Sequence, residues 1–192
     1  MKQKTIFIIL FIFVAVVFFL GYQGEKQKIK ENNLLLQGSG YVFLKPNIIE
    51  NPEQGFSFKM PLSWYLDYED NILEMSYTKQ EYEDCPSVKK GCTISVQVND
   101  QYLEKEKLIQ DIEIALKTDK RPDILIEINQ AYEILEVSGF KGVKELLFNN
   151  SEIGSLYLIS VPVFNKNYAF SGFITKDCEK IFENFIKTIK IN

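Results

Sequence analysis

The longest unbroken hydrophobic stretch lies near the start of the chain, where Lys2 and Lys4 precede 15 apolar residues, Ile6–Leu20. A bilayer-spanning helix needs about 17 to 20 apolar residues, and a cleaved secretory signal has an apolar core of about 7 to 15. Extension through Tyr22 reaches the lower limit of a span, and the residues that follow offer no good small-x-small cleavage site. We therefore expect an uncleaved signal anchor over residues 1–22, with a cleaved signal as the alternative. The two lysines favour a cytoplasmic N-terminus and an extracytoplasmic domain.

The stretch after the anchor is polar and predicts a linker rather than a core element. Residues 23–40 begin with the charged segment Gln23–Asn33 and contain a Gly-Ser-Gly interruption at 38–40. The remaining residues, 41–192, are enough for one domain with its own core.

Apolar and polar residues alternate with period two in several segments of this domain, which predicts half-buried strands. We expect strands over residues 41–44, 55–60, 72–77, 93–98, 133–137, 143–148, 156–164 and 168–174. Pro162 cannot donate to a ladder, so its strand should be an edge or bulged there. Prolines in Lys45–Gln54 predict a loop, and the acids of Asp67–Asn71 predict a turn.

Two segments have the three-and-four spacing of amphipathic helices. The first runs from about Tyr102 to Lys117, with an apolar stripe at Leu108, Ile109, Ile112 and Leu116. The second closes the chain, with a stripe at Cys178, Ile181, Phe182, Phe185, Ile186 and Ile189. Antiparallel strands with two such helices predict the α+β class.

Composition removes several kinds of chemistry from consideration. The chain has no histidine, which is the commonest general base and zinc ligand, and its net charge of −4 does not favour nucleic acid. Cys85 and Cys92 bracket a short polar loop, and outside the cytoplasm we expect them to form a disulfide, with free thiols as the alternative. Cys178 lies on the apolar helix stripe and is expected to be a small buried hydrophobic residue.

One segment resembles the opening of PsbP-like domains, in which a Gly-Phe strand runs into Pro-x-x-Trp. It covers Asn51–Trp64 and includes Gly55-Phe56-Ser57-Phe58-Lys59-Met60-Pro61. Glu136–Gly142 and the ending Cys178–Ile191 are similar to the mid-domain turn and closing helix of that family. The resemblance spans Tyr41–Asn192 and implies a three-layer α/β/α sandwich around a mostly antiparallel sheet. It also implies a bacterial envelope protein without catalysis.

Candidate sites are few, and we predict no catalytic residue, cofactor or metal. Asp67, Glu69, Asp70 and Asn71 could offer oxygens to calcium, but Ile72 stands where an EF-hand needs glycine, so a solvated turn is favoured.

Aromatic residues near the acidic and cysteine loops suggest a recognition rim, because tyrosine gives contact area at small entropic cost. The proposed rim consists of Trp64, Tyr65, Tyr68, Tyr77 and Tyr82, with ordinary sheet packing as the alternative.

These observations favour a single-pass, membrane-anchored extracytoplasmic module that binds an unidentified envelope protein or polymer. Its first partner is the lipid bilayer, through the N-terminal helix, and no nucleic acid is expected. Two alternatives stay open. A carboxylate-based envelope hydrolase would show a deep cleft with two facing acids of shifted pKa. A pilin-like subunit would show one continuous helix from Ile6 past Leu36.

Overall fold

The computed structural model describes residues 34, 36–45, 47–61, 64–76, 92–150 and 154–192. The expected anchor over residues 1–22 lies outside these ranges, as does most of the linker. Searched over the described part alone, the chain has no helix long and apolar enough to span a bilayer.

The described residues form two sheets and three α-helices. The strands are β1 Val42–Lys45, β2 Ile48–Asn51, β3 Phe56–Lys59, β4 Tyr65–Glu69, β5 Ile72–Ser76, β6 Thr93–Asn99, β7 Tyr132–Val137, β8 Phe140–Asn150, β9 Gly154–Val163, β10 Lys166–Ile174 and β11 Lys190–Ile191. The helices are α1 Tyr102–Thr118, α2 Pro122–Ala131 and α3 Glu179–Ile186, and a 3-10 turn, Lys176–Cys178, leads into α3.

Strand order separates the chain into a small and a large sheet. The small sheet has the order β1-β2-β3-β11, and the large one β4-β5-β6-β10-β9-β8-β7. Every strand pairing in both sheets is antiparallel. The predicted α+β class with mostly antiparallel strands is therefore confirmed.

One face of the large sheet carries the main hydrophobic core. The register places Leu73, Val96, Phe170 and Ile159 in one row across four neighbouring strands, and all four are almost fully buried. The small sheet and α3 cover this inner face, with Phe58 of β3 and Phe185 of α3 in edge-to-face contact at 5.4 Å. Burial of so much aromatic surface dominates the stability of the fold.

The opposite, outer face lies under α1 and α2 and is packed more thinly. Residues adjacent in sequence to the inner row point to this outer face and form a row of their own. That row consists of Gln97, Ala169, Ser160, Val143 and Ile134. The buried apolar cluster on this side consists of Ile109 and Ile112 of α1 with Val143 of β8. No residue of α2 is fully buried.

Several elements differ from the sequence expectations. The expected loop Lys45–Gln54 contains β2, and the expected turn Asp67–Asn71 contributes three residues to β4. In both cases pairing with a neighbouring strand outweighed local turn propensity. The closing helix ends at Ile186, so that Lys190–Ile191 can form β11 beside β3.

Pro162 lies in β9, which has a neighbouring strand on each side. Its missing N–H nevertheless removes no hydrogen bond from the sheet. The pairing of β9 with β8 begins at Ser160 and runs away from Pro162, while Pro162 faces Asn167 of β10. Locally the strand is an edge, as its proline predicted.

Candidate functional site

The disulfide of this domain joins Cys92 to Cys178, not to Cys85. Cys92 stands immediately before β6 and Cys178 ends the 3-10 turn, with their α-carbons 6.0 Å apart. The predicted Cys85–Cys92 bridge is wrong for this structure, because a sulfur forms only one such bond; Cys85 itself lies outside the described residues. The error came from sequence proximity: the fold brings together two cysteines separated by 86 positions. Cys178 is buried as expected, but as a disulfide partner.

The five residues of the predicted recognition rim do not share one environment. Trp64 is only 4% exposed and belongs to the main core, so its inclusion in an exposed rim was wrong. Tyr68 is half-buried against the same core, and its hydroxyl donates to Asn71 Oδ1 at 3.1 Å. Tyr65 is 50% exposed. Tyr77 and Tyr82 lie outside the described residues.

The exposed member of this set lies on the end strand of the large sheet. In β4, Tyr65, Asp67 and Glu69 are exposed on the outer face, while the intervening side chains pack towards the core. Among the described residues, no strand pairs with the outer edge of β4. The backbone N–H of Tyr68 donates to Asp67 Oδ1 at 2.8 Å, and this bond partly protects that strand against uncontrolled pairing. The result is an acidic edge with one exposed aromatic residue.

The acidic turn considered for calcium is a two-residue hairpin loop. Asp70 and Asn71 both have positive φ, 50° and 64°, as a type I′ turn requires. The oxygens of Asp67 and Asn71 accept bonds from Tyr68. Within the described ranges, no cluster of three or more potential metal ligands occurs.

A shallow groove of about 150 Å³ opens where α2 meets β7, β8 and β9. Lys144 lies in it, with Nζ 4.5 Å from the centre of the Tyr157 ring and 3.4 Å from Glu133 Oε2. The other neighbour of Tyr157 is Phe182 of α3, stacked at 6.4 Å. Both the ring and the carboxylate are therefore engaged within the protein.

The outer face of the large sheet also contains buried polar groups. Lys105 of α1 and Glu145 of β8 form an ion pair at 2.8 Å, with side chains 10% and 12% exposed. Ser160 Oγ and Asn167 Oδ1 are buried, and neither has a hydrogen-bond partner in the described part of the chain. Each such atom costs free energy, so this interface is weaker than its area suggests.

Three hairpin turns lie at one end of the large sheet, which we call the turn end: Asp70–Asn71, Ser138–Gly139 and Phe164–Asn165. They share this end because neighbouring strands alternate in direction. Phe164 has φ 52° and is 62% exposed. A bulky aromatic residue rarely adopts this conformation, which costs of order 1–3 kcal/mol. Sequence reasoning missed Phe164 because it was assigned to a strand.

Ionisable groups with shifted pKa values lie mostly on the surface around α1 and α2. The Lys141 ammonium bonded to Glu113 lowers the pKa of that carboxyl, and Arg121 lowers the pKa of Asp119 to about 2. Burial raises the pKa of Tyr41 and, to a smaller extent, that of Tyr168. A general acid of a hydrolase needs a raised carboxyl pKa. The two carboxyls with a shifted pKa in the described part of the chain, Glu113 and Asp119, both have a lowered pKa.

Comparison with known proteins gives little guidance. No family model matches the chain, and no curated protein matches it. A crystal structure of a protein from Bacteroides thetaiotaomicron VPI-5482 is similar, with 15% identity and a TM-score of 0.44. The match covers 72% of this chain and 45% of that one, so the chain spans less than half of its length. Membership of the PsbP-like family therefore stays a prediction.

Proposed function

We propose that this chain is a membrane-anchored, extracytoplasmic PsbP-like module that acts by binding a protein or polymer of the cell envelope. Support for the layered architecture comes from helices on both faces of the large sheet, α1 and α2 on one and α3 on the other. The apolar run Ile6–Leu20 supports the anchor.

The observation that carries the proposal is the Cys92–Cys178 disulfide. It is buried and links the start of β6 to the beginning of α3, across 86 positions. Structural disulfides persist in oxidising compartments and are rare in the cytosol. A cross-link between distant parts of one core therefore supports placement of the domain outside the cytoplasm.

The redox state of the cysteines in cells tests this placement. Free thiols are blocked with N-ethylmaleimide before lysis, and peptides are mapped without reduction. We expect a linked peptide pair containing Cys92 and Cys178, and Cys178→Ala should lower the free energy of unfolding by about 2–4 kcal/mol. Recovery of alkylated Cys92 and Cys178 from untreated cells would contradict the proposed location.

The surface best suited to binding is the edge of β4. Its exposed Tyr65 gives contact area at little entropic cost, and Asp67 and Glu69 add negative charge beside it. No strand in the described ranges pairs with this edge, so it can also accept an extended segment from a partner. We infer that the partner carries basic groups near an extended segment.

Photo-crosslinking in intact cells tests this surface. A benzoylphenylalanine at position 65 is compared with one at position 148, because Phe148 is also an exposed aromatic residue, 43% accessible, on a different strand. We expect a discrete adduct from position 65 that weakens when Asp67 and Glu69 are replaced by Asn and Gln. Identical patterns from both positions would remove β4 as the binding surface.

The pilin-like alternative requires a helix that continues past Leu36. Residues 36–40 form turns, and the backbone N–H of Ser39 donates to Leu36 O. No helix continues through this point, so nothing in the described residues favours a pilin.

A further inference from the structure

The side chain of Phe164 is exposed in a conformation that disfavours it. It occupies the first position of a two-residue type I′ turn, where Asn or Gly is the usual residue. Its ring contacts Phe140 edge to face at 5.5 Å, yet most of the side chain faces solvent. The packing of this ring offsets little of the backbone strain at Phe164. Residues with a strained backbone are concentrated at functional sites.

The chain enters the domain at the same turn end. Gly40 lies against Asn51 and Glu53, and the loop after Asn51 brings Gln54 to β10. There Lys166 Nζ donates to Gln54 Oε1 at 2.6 Å, and the Tyr168 hydroxyl donates to Gln54 O at 2.7 Å. Lys166 follows the Phe164–Asn165 turn directly. A short series of contacts thus connects the entry point to Phe164.

Further exposed apolar side chains lie near this end. Leu103 lies in the first turn of α1, which follows the end of β6 closely, and is 74% exposed. Val42 follows the entry segment and is also exposed. The exposed acids Asp70 and Asp100 at the same end disfavour an anionic surface.

Chain length limits how far this end can lie from the proposed anchor. Thirteen residues separate Leu20 from Leu34, and even fully extended they reach only about 45 Å. A domain of about 150 residues has a radius of gyration of about 15 Å, so this tether is comparable to its diameter. The attached end therefore stays within about 45 Å of the lipid, close enough for the exposed side chains beside it to reach the bilayer surface.

We propose that the turn end faces the bilayer and that Phe164 inserts its ring among the headgroups of a zwitterionic lipid surface. Phe, like Trp and Leu, is among the side chains that bury their apolar surface at the boundary between headgroups and acyl chains. This inference rests on the proposed anchor and adds to it an orientation of the domain.

Depth-dependent fluorescence quenching tests this orientation. The full chain is reconstituted in phosphatidylcholine vesicles that carry brominated acyl chains, as Phe164→Trp or as Phe148→Trp. Phe148 is the matched control because it is exposed and lies near the opposite end of β8 from the turn end. Trp64 is buried in both variants and gives a common background. Bromines in both leaflets make the direction of insertion unimportant.

We expect bromolipid to quench the emission of Phe164→Trp at least about twofold more strongly than that of Phe148→Trp. Equal quenching, with the chain still resisting alkaline carbonate extraction, would overturn the inference and leave the anchor intact. Release of the chain by carbonate would overturn both. Weak quenching of Phe164→Trp, together with a protein adduct from benzoylphenylalanine at position 164, would assign the ring to a protein partner and so overturn the lipid contact.

A second variant separates function from folding. Phe164→Asn places a residue suited to positive φ in the turn, so we expect an unchanged or higher thermal midpoint. A lower midpoint would assign the ring to packing and overturn its role at the membrane.

Discussion

The two faces of the large sheet are built from the same strands but are stabilised differently. On the inner face, Phe170 contacts Phe56 and Phe185 within a continuous aromatic core. On the outer face, the adjoining row contains Ala169 and Ser160, and the buried apolar cluster above it is small. The difference predicts that the inner face dominates global stability, whereas the α1–α2 layer is held by a few apolar contacts and, among the described residues, by the ion pairs Lys105–Glu145 and Glu113–Lys141.

The largest expected effect is on the inner face. Phe170→Ala should lower the free energy of unfolding by about 3–5 kcal/mol, because it leaves a cavity that the surrounding rings cannot fill. Ile112→Ala beneath α1 should cost about 2 kcal/mol, near the low end for such a change, because a thin layer can collapse. Chemical denaturation followed by circular dichroism measures both. If both substitutions lowered the free energy of unfolding equally, the two faces of the sheet would contribute equally to stability.

The next effect concerns the outer-face ion pair. Glu145→Gln leaves the Lys105 ammonium in a mostly enclosed site without its counter-charge, and should cost about 3 kcal/mol. Lys105→Met with Glu145→Leu replaces both charges by apolar groups of similar size and should return stability to within about 1 kcal/mol of wild type. If the double variant stays as unstable as the single one, the pair itself stabilises α1 on the sheet.

The smallest effect is a pH dependence in the α1–α2 connection. Arg121 donates to Asp119 and lowers its pKa from 3.8 to about 2. The folded state therefore binds this proton less readily than the unfolded chain, so the contribution is present above pH 3.8 and is lost as pH falls towards 2. Because the pair is solvent-exposed, the contribution should be small. Asp119→Asn should flatten the pH dependence of the unfolding midpoint only between about pH 4 and 2. An unchanged slope would exclude the pair as a contributor.

Much of the secondary structure could be predicted because the inner face imposes a strong periodic signal. Phe56 and Phe58 alternate with polar residues in β3, and Ile94 and Val96 do so in β6, which identified both strands. The stripe of Phe182 and Phe185 identified α3 in the same way. These elements bury one face and expose the other, so the periodic spacing of their apolar residues can be recognised in the sequence.

The elements that were missed depend on partners far along the chain. β2 and β11 are short and lie beside β3, and nothing in Lys190–Ile191 alone indicates a strand. The disulfide was assigned to the nearer pair for the same reason, since only the fold brings Cys178 to Cys92. Trp64 was included in the recognition rim because it lies near the acidic and cysteine loops in the sequence, whereas its ring fills the core.

The pairing of β11 with β3 has a consequence for synthesis of the protein. Ile191 pairs with Phe56, and the backbone N–H of Asn192 donates to Gly55 O at 2.8 Å. This edge of β3 can be completed only after Ile191 and Asn192 have been translated. Until then one edge of β3 is unpaired in the nascent chain, and such long-range pairing forms slowly. We therefore expect the growing polypeptide to need protection from aggregation for longer than a domain whose strands pair as they are synthesised.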